Sequence, residues 1–540
     1  MALILYHGIP KYGAGRHHKN GNLHDEDNAM QEFIVKHQEK IASVLSCFDR
    51  IIFKGYLPIS FPESMTNFLR DKKVLVKDFK GFVVECSKAL KQHAEDIARR
   101  TGRPYQYLKK HTRKEDYARG IAQKDKINDG LVCILSVNEP CSSFKLKYGQ
   151  GKPELVRDNP RCLCLYFYFI DRDFGLMHVR IQTWFPFTIQ VYINGHEWLA
   201  RKLDRCHIDY QMIENAFVRL EDSSRVQRLA DRFVEINLKR ILSVFAAKVN
   251  PLMKTILHGM EYYWVVDQAE FATDIIFKDR SCLEGLYPKL LRHATLCFSA
   301  EDVMTFLGKK LNGNFKGELM TSCAKRCRGA RVKHRMKENW MKMYDKHGCV
   351  LRIETVINHP HEFLIRRRGK RHGDLVMGWY PMAKRVTNLW RYQQVCLSAN
   401  MAYLSALASV DDPSQAYNLL NKLCEPATLN AHRVRGLNPL RGDDLRLFAA
   451  VLRGEHFIHG FRNRDLARHL ESAIPADPSL RKRCSARITR LIHLLRAHHL
   501  VAKIPRSRRY RITSWGTVIM SAAICLRTND FPQLFKLLAA

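Results

Sequence analysis

Two short predicted strands in the middle of the chain carry a tyrosine, lysines and a glutamate at alternating positions. Segments 340–346 and 350–356 are separated by a His347-Gly348 turn and read as a hairpin. Side chains alternate between the two faces of a strand. The residues that share a face are Lys342, Tyr344 and Lys346 on the first strand, and Arg352 and Glu354 on the second. Pairing of the two strands would bring a tyrosine hydroxyl, lysines, an arginine and a carboxylate onto one sheet surface.

The hairpin sequence resembles that of a known enzyme family. MKMYDKHGCVLRIE is similar to the strand pair K-x-Y-x-K … L-R-x-E of replication initiators of rolling-circle plasmids and filamentous phages, and FATDIIF resembles their earlier Asp-bearing strand. The resemblance implies DNA nicking in which Tyr344 attacks a phosphodiester and Lys346, with Lys342, offsets the phosphate charge. It further implies that Asp274 and Glu354 hold Mg²⁺ or Mn²⁺, which prefer hard oxygen ligands.

The same sequence departs from one branch of that family. No His-hydrophobic-His metal motif precedes the hairpin, and His359-Pro360-His361, which follows it, reads as a surface turn. A structural reading of the hairpin also stays open. Tyr344 could be a half-buried strand tyrosine, and Arg352 and Glu354 could belong to a cross-strand charge network.

A second set of carboxylates lies upstream. Asp49, Glu139 and Asp171 stand at the ends of predicted strands. Three carboxylates at strand ends could gather two metals in the manner of RNase-H-like nucleases and transposases, which cut phosphodiesters with a metal-activated water. Carboxylates at strand ends are also common turn residues.

The stretch Arg481–Arg511 near the C-terminus carries eleven Lys/Arg and no Asp or Glu. Two helices, 445–452 and 461–470, precede a longer amphipathic helix and two short strands, 500–504 and 509–513. This order resembles a MarR-like winged helix, which implies a helix in the major groove and a wing on the backbone or minor groove. The residues predicted to contact nucleic acid are Arg481, Arg483, Arg487 and Arg490 on the helix, and Arg506, Arg508, Arg509 and Arg511 in the wing.

A second basic run surrounds the tyrosine hairpin. Lys325–Arg371 contains fifteen Lys/Arg against four Asp/Glu. Its last cations, also predicted to bind nucleic acid, are Arg366, Arg367, Arg368, Lys370 and Arg371. The aromatic residues in and after the run are Trp340, Tyr344, Trp379, Tyr380, Trp390 and Tyr392. They could stack on unpaired bases, although aromatics in such positions more often belong to a core.

Composition points to a polyanionic partner. A net charge of +36 on 540 residues favours nucleic acid, with DNA ahead of RNA. The sequence predicts no membrane partner, because it lacks both a long apolar run and a signal peptide. Sixteen cysteines without a small-domain framework indicate reduced thiols and a cytoplasmic location. We expect no zinc, because neither Cys162–Cys164 nor Cys323–Cys327 has a second Cys/His pair at finger spacing.

Together these patterns predict a multidomain α/β protein with a C-terminal winged helix-turn-helix domain. The predicted regions are a loose tail (1–30), an α/β domain with parallel pairing and a strand meander (31–195), a helical segment (196–260), a mixed α/β basic domain (261–370), a helical linker region (371–440) and the winged helix (441–540). We expect a DNA-binding protein of a mobile or plasmid-like element that nicks or joins a strand. The alternative is a non-catalytic transcriptional regulator or an RNA-binding component of a ribonucleoprotein. The sequence leaves the oligomeric state open, a dimer included.

Overall fold

The computed structural model describes residues 32–109, 113–148, 152–309, 317–326, 329–371, 374–408, 410, 421–471, 477–505 and 507–530. The predicted tail (1–30) and two residues of interest, Arg506 and Cys327, lie outside the described residues. Among the residues described, no helix combines the length and apolarity needed to cross a membrane.

The described α-helices are α1 Pro62–Asp71, α2 Phe79–Thr101, α3 Lys114–Lys124, α4 Gly195–Arg205, α5 Ser223–Asp231, α6 Leu238–Val249, α7 Arg280–Leu296, α8 Ala300–Phe306, α9 Leu389–Leu407, α10 Gly442–Val451, α11 Glu455–His459, α12 Asn463–Leu470, α13 Pro478–Ala497 and α14 Ser514–Cys525. The strands in the first half of the chain are β1 Ile41–Tyr56, β2 Tyr105–Tyr107, β3 Gly130–Pro140, β4 Ser143–Lys147, β5 Glu154–Asp158, β6 Arg161–Asp171, β7 Gly175–Gln182, β8 Ile189–Asn194, β9 Tyr210–Ile213, β10 Ala216–Leu220 and β11 Tyr263–Phe277. Those in the second half are β12 Leu319–Arg326, β13 Gly329–Met336, β14 Asn339–Lys346, β15 Val350–Ile357, β16 Leu364–Arg371, β17 Asp374–Pro381, β18 Ala427–Leu429, β19 His432–Val434, β20 Val501–Lys503 and β21 Tyr510–Ile512.

The chain forms two compact units, each assembled from separated segments. The central unit comprises Ser43–Thr273 and Glu354–Cys396, and the C-terminal unit comprises Met1–Ala42, Asp274–Ile353 and Leu397–Ala540. The chain therefore changes unit four times, within β1, β11, β15 and α9.

The central unit is built on a mixed sheet. Its strands follow the order β11-β1-β8-β7-β6-β3-β2, and the predicted meander is confirmed as β6, β7 and β8. The parallel pairing predicted for the strands before the meander is found between β2 and β3, whereas β1 and β3 each pair antiparallel with a strand of the meander, β8 and β6. The helices between β1 and β3 connect strands that are not neighbours, and the meander fills the space between them.

Strand β1 is much longer than its sequence pattern suggested. The apolar residues 51–53 predict a short strand, whereas β1 spans Ile41–Tyr56. The run Ser46–Asp49 is buried without interruption. A strand covered on both faces loses its apolar-polar alternation, so its length cannot be read from a period of two.

The C-terminal unit contains the tyrosine hairpin and the chain's last helices. Its strands follow the order β12-β13-β14-β15-β11. β14 and β15 confirm the predicted hairpin strands, and the turn between them places His347 and Gly348 at φ 60° and 78°. Both residues have the left-handed backbone that two-residue hairpin turns require.

The last helices pack around one apolar core. α13 buries Ile488, Ile492 and Leu495, as its helical spacing predicted. β20 and β21 form an antiparallel hairpin after α13, and Phe461, just before α12, exchanges two backbone hydrogen bonds of 2.8 Å with Tyr510 of β21. Phe461 therefore forms an isolated β-bridge to the β20–β21 hairpin, as a short third strand would.

Candidate metal centre

Three carboxylates from three neighbouring strands meet in the central unit. Asp49 of β1, Glu270 of β11 and Glu354 of β15 each offer an oxygen, and these oxygens lie within 4.8 Å of one another. Their exposed fractions are 1%, 6% and 0%. The sheet order β15-β11-β1 places the three strands side by side, which explains how residues distant in sequence converge.

Asp49 is held by polar side chains from other elements. The Asn215 amide donates a hydrogen bond to its carboxylate, and Nδ1 of His196 lies 3.5 Å from the same oxygen, Oδ1. His196 stands in the first turn of α4, where the Asn194 side chain accepts the His196 backbone N–H at 2.9 Å and caps the helix. This cap fixes the position from which His196 approaches Asp49.

Glu270 is bound by its own strand and by β1. Nε of Arg50 lies 3.3 Å from Oε2 of Glu270, and the Gln268 amide donates to Oε1 at 3.0 Å. Burial alone would lower the pKa of Arg50, but the carboxylates of Glu270, Asp49 and Glu354 hold that pKa above its ordinary value. Arg50 therefore stays cationic beside the three acids.

The arrangement suits a hard divalent cation. Three carboxylates buried together repel one another, and desolvation removes the water that would screen them. Arg50 brings one positive charge, and a divalent cation would bring two more. Cis oxygens on an octahedral Mg²⁺ with bonds of about 2.1 Å lie roughly 3 Å apart, so small side-chain rotations would bring these oxygens into one coordination shell.

The centre combines residues from both sequence hypotheses with one that neither contained. Asp49 came from the strand-end set and Glu354 from the hairpin set, while Glu270 was not selected. The available signal is its charge within the largely apolar segment Ala269–Phe277, which also contains Asp274. A charged residue inside a buried strand requires a partner, so Glu270 and Asp274 were equally good candidates for a site.

The two carboxylates grouped with Asp49 have other partners. Glu139 accepts hydrogen bonds from Tyr166, at 2.8 Å, and Arg180, at 3.0 Å, and Lys114 lies 3.0 Å away. Burial would raise the pKa of Glu139, but these three donors lower it. Asp171 accepts the backbone N–H groups of the turn that follows β6, at 2.8 Å and 3.1 Å. It acts as a turn residue.

Asp274 is engaged by an arginine. Nε and Nη2 of Arg352 donate to its two carboxylate oxygens at 2.6 Å and 2.7 Å, and both side chains are buried. This two-point ion pair satisfies the carboxylate that the sequence had assigned to a metal. The prediction paired Asp274 with Glu354, whereas the structure groups Glu354 with Asp49 and Glu270.

The predicted nucleophile lies in the other unit. Tyr344 is half-buried on β14, opposite Arg331 of β13, while Lys342 is buried opposite Lys333. These residues and half-buried Lys346 belong to the C-terminal unit, and the carboxylate centre belongs to the central unit. The nucleophilic role of Tyr344 stays a prediction.

A second group of ligand-capable residues joins α11 to α12. Nε2 of His469 lies 2.7 Å from Oε1 of Glu455, and Nε2 of His456 lies 3.4 Å from the same oxygen. The hydrogen bond from His469 lowers the pKa of Glu455 to about 2. The Arg453 guanidinium donates to Nδ1 of His469 at 3.1 Å, which leaves the His469 Nε2–H to bond Glu455. The His469–Glu455 hydrogen bond links α12 to α11.

The predicted basic surfaces are exposed. On α13, the exposed arginines are Arg481, Arg483, Arg487 and Arg490. Arg508 and Arg511 are exposed in the following hairpin, Arg509 is half-buried there, and Arg506 lies outside the described residues. Arg487 also pairs with Glu471.

A further surface, which we call the basic ribbon, is formed by β16 and β17. Their register places Arg366 opposite Trp379, Arg368 opposite Met377 and Lys370 opposite Leu375. All six side chains are exposed, Trp379 by 67%. One face of the ribbon therefore alternates cations with large apolar groups.

Among the other predicted stacking residues, Trp390 is exposed by 42%, whereas Tyr392 and Tyr380 are less accessible. Tyr392 is fully buried, so its ring cannot stack on a base as predicted and belongs to the core. Tyr380 packs over Gly369, where an added Cβ would lie 2.6 Å from the ring, and donates to the Gly369 carbonyl at 2.9 Å. Arg367 lies 5.0 Å from the Tyr380 ring centroid, so this tyrosine supports the ribbon from its opposite face.

No protein-family model, curated protein or solved structure matches the chain.

A divalent cation should stabilise the wild-type protein, and Glu354→Gln should remove that effect. A cation that binds only the folded state at 100 times its dissociation constant adds about 2.7 kcal/mol of unfolding free energy. The melting temperature of the wild type, measured with EDTA and then with Mg²⁺ or Mn²⁺, should rise with metal. Glu139→Gln changes a carboxylate outside the centre and should keep the rise. An equal rise in the Glu354→Gln variant would contradict this metal centre.

Proposed function

We propose that the protein binds DNA and cuts or joins a strand by metal-assisted phosphodiester chemistry at Asp49, Glu270 and Glu354. The observation that supports this most directly is the convergence of three buried carboxylates within 4.8 Å in a chain with a net charge of +36. Hard oxygen ligands suit the cations that assist phosphoryl chemistry, and a strongly basic surface suits a phosphate backbone.

The three carboxylates would hold the cation, while their neighbours fix their orientation. Bound Mg²⁺ or Mn²⁺ would lower the pKa of a water and offset charge on the scissile phosphate. Asn215 and His196 orient Asp49, and Arg50 orients Glu270. Burial keeps these contacts free of competing water, which strengthens each of them.

The sequence hypotheses offer two nucleophiles for the reaction. Water needs only the carboxylates and the cation, as in the strand-end hypothesis. Tyr344 would form a covalent protein–DNA bond, as its resemblance to replication initiators implies. We favour water, because Asp49, Glu270 and Glu354 already form a compact group within the central unit without the tyrosine.

The C-terminal helices and hairpin support duplex binding. The order α10, Phe461 bridge, α12, α13, β20 and β21 is the order expected of a winged helix. The exposed arginines of α13 would face the major groove, and the β20–β21 tip would lie along the backbone. We propose that this segment targets the protein to DNA.

The basic ribbon supports contact with unpaired bases. Exposed Trp379 offers a stacking surface, and Arg366 and Arg368 alternate with the apolar side chains on the same face. Stacking depends little on sequence, because every base has an aromatic face. A DNA strand separated from its complement for cleavage exposes unpaired bases that could stack on Trp379.

A non-catalytic regulator or an RNA-binding protein is the competing function. The basic surfaces would serve it equally well, and the buried carboxylates would then have a structural role, as in the Arg50–Glu270 ion pair. The setting in a mobile or plasmid-like element rests on the sequence resemblance alone.

Asp49→Asn should abolish metal-dependent cleavage and leave DNA binding within about twofold. The lost carboxylate removes a cation ligand but no surface charge, and changes in metal-site ligands or their supports typically cost ~10–100-fold or more. Cleavage of labelled single-stranded, duplex and hairpin DNA should be followed with Mg²⁺, Mn²⁺ and EDTA. Tyr344→Phe is the matched variant: retained cleavage indicates water, and loss of a covalent protein–DNA adduct indicates tyrosine. No metal-dependent product from the wild type on any substrate would favour the binder, and binding to RNA alone would identify its RNA version.

Neutralising the wing should weaken duplex binding and reduce its dependence on salt. Replacing Arg508, Arg509 and Arg511 with glutamine removes up to three phosphate contacts, and each contact contributes about 0.9 to the slope of log affinity against log salt. Fluorescence anisotropy at several salt concentrations measures both quantities. Glutamine at Lys91, Arg99 and Arg100, three exposed cations of α2, provides a control with equal charge loss. Equal slopes in the two variants would refute the wing assignment.

Trp379→Ala should weaken binding of single-stranded DNA by roughly 1–3 kcal/mol, the contribution of one stacked base. Duplex affinity should change little, since paired bases are already stacked. Quenching of tryptophan fluorescence and anisotropy with an oligothymidylate measure the effect. Leu364→Ala removes an exposed apolar side chain from the same face of the ribbon and serves as the control. Unchanged single-strand affinity in Trp379→Ala would exclude the ribbon as a stacking platform.

A further inference from the structure

Three buried cysteines of the central unit lie close together. They share no residue with the carboxylate centre. The Sγ atoms of Cys141, Cys162 and Cys164 lie within 4.8 Å of one another, and the Cys141–Cys164 separation is 3.4 Å. Their exposed fractions are 4%, 7% and 0%.

The pairing of β3 with β6 creates this group. Cys162 and Cys164 are two residues apart on β6, so both side chains lie on the same face of the sheet. Cys162 pairs with Glu139 of β3, and the chain then continues past the end of that strand. The backbone N–H of Cys141 donates to the Pro160 carbonyl at 2.9 Å. This hydrogen bond holds Cys141 next to the start of β6, close to Cys162 and Cys164.

A buried arginine faces the sulfurs. Nη2 of Arg180 lies 3.1 Å from Sγ of Cys164 and 3.6 Å from Sγ of Cys141, while its Nε donates to Glu139 at 3.0 Å. A guanidinium has only donors, so it is placed to bond negatively charged sulfur. This is the charge arrangement expected around thiolates.

A polar cleft of about 180 Å³ reaches the group at Cys141 and Arg180. Its other polar lining residues include Lys54, Gln182 and Gln190. The three sulfurs are therefore buried, but the group borders this cleft on the side of Cys141. A metal bound there would have room for one further ligand.

We propose that Cys141, Cys162 and Cys164 bind a zinc ion as a three-thiolate site whose fourth coordination position faces this cleft. Zinc–sulfur bonds of about 2.3 Å place tetrahedral sulfur ligands roughly 3.8 Å apart, within the range of separations seen here. The three thiols lose their protons to solvent on binding. Zinc with three thiolates carries one net negative charge, which the Arg180 guanidinium balances.

Zinc explains the group better than a disulfide does. A Cys141–Cys164 disulfide would leave Cys162 without a role and would need an oxidant to accept two electrons. Zinc binding uses all three sulfurs and involves no redox step. The sequence expectation of no zinc considered only cysteines close in sequence, and Cys141 joins the pair through the fold.

Metal analysis of the full-length protein tests the proposal. Protein purified without chelators should contain one zinc per chain by inductively coupled plasma mass spectrometry, and Cys162→Ser and Cys164→Ser should each lose it. Cys133→Ser removes a buried thiol of β3 outside the group and should retain zinc. Because a serine variant can fail to fold, the wild type should also be reconstituted with Co²⁺, whose thiolate charge-transfer absorption in the near ultraviolet should appear and then disappear when Zn²⁺ is added.

Three results would overturn the proposal. One is wild-type protein without stoichiometric zinc and without a cobalt–thiolate band. Another is zinc retained at the wild-type level in both serine variants, which would place the metal elsewhere, for example at Glu455, His456 and His469. The third is a Cys141–Cys164 disulfide found by peptide mass spectrometry in freshly purified protein.

Discussion

Charged side chains inside a covered sheet must be neutralised, and this constraint governs the middle of the protein. Arg352 and Asp274 meet it by direct pairing, with both side chains almost without exposure. Removing one partner of such a pair typically costs about 3–5 kcal/mol, because the other is left charged and buried. Asp49, Glu270 and Glu354 lie together beside Arg50, and a divalent cation would add further positive charge to this group.

The burial that makes these groups costly to keep also makes them useful. A cation held in a dry, fixed environment acts on a phosphate more strongly than one in bulk water, because the low dielectric strengthens its field and no solvent must reorganise. The supporting contacts come from different elements: Asn215 follows β9, His196 opens α4, and Arg50 lies beside Asp49 on β1. An error in any of them would displace a ligand oxygen.

The positive charge follows a different physical rule. Cations on α13, at the tip of the β20–β21 hairpin and on the basic ribbon remain exposed, where each is solvated at little cost and can exchange counterions for phosphates. The protein thus separates two electrostatic tasks. Exposed cations would attract the nucleic acid, while buried anions would hold the cation that acts on it.

The sequence by itself determined the local elements: the β14–β15 hairpin, the β6–β8 meander and the amphipathic α13 all follow from spacing and turn residues, which act over short range. It also pointed to Asp49, as a carboxylate at a strand end, and to Glu354, through the resemblance of its hairpin to replication initiators. Only the tertiary structure joined them to Glu270, gave Asp274 to Arg352 and brought Cys141 to Cys162 and Cys164. Those choices depend on which strands are neighbours, and strand order is set by long-range packing that no local pattern records.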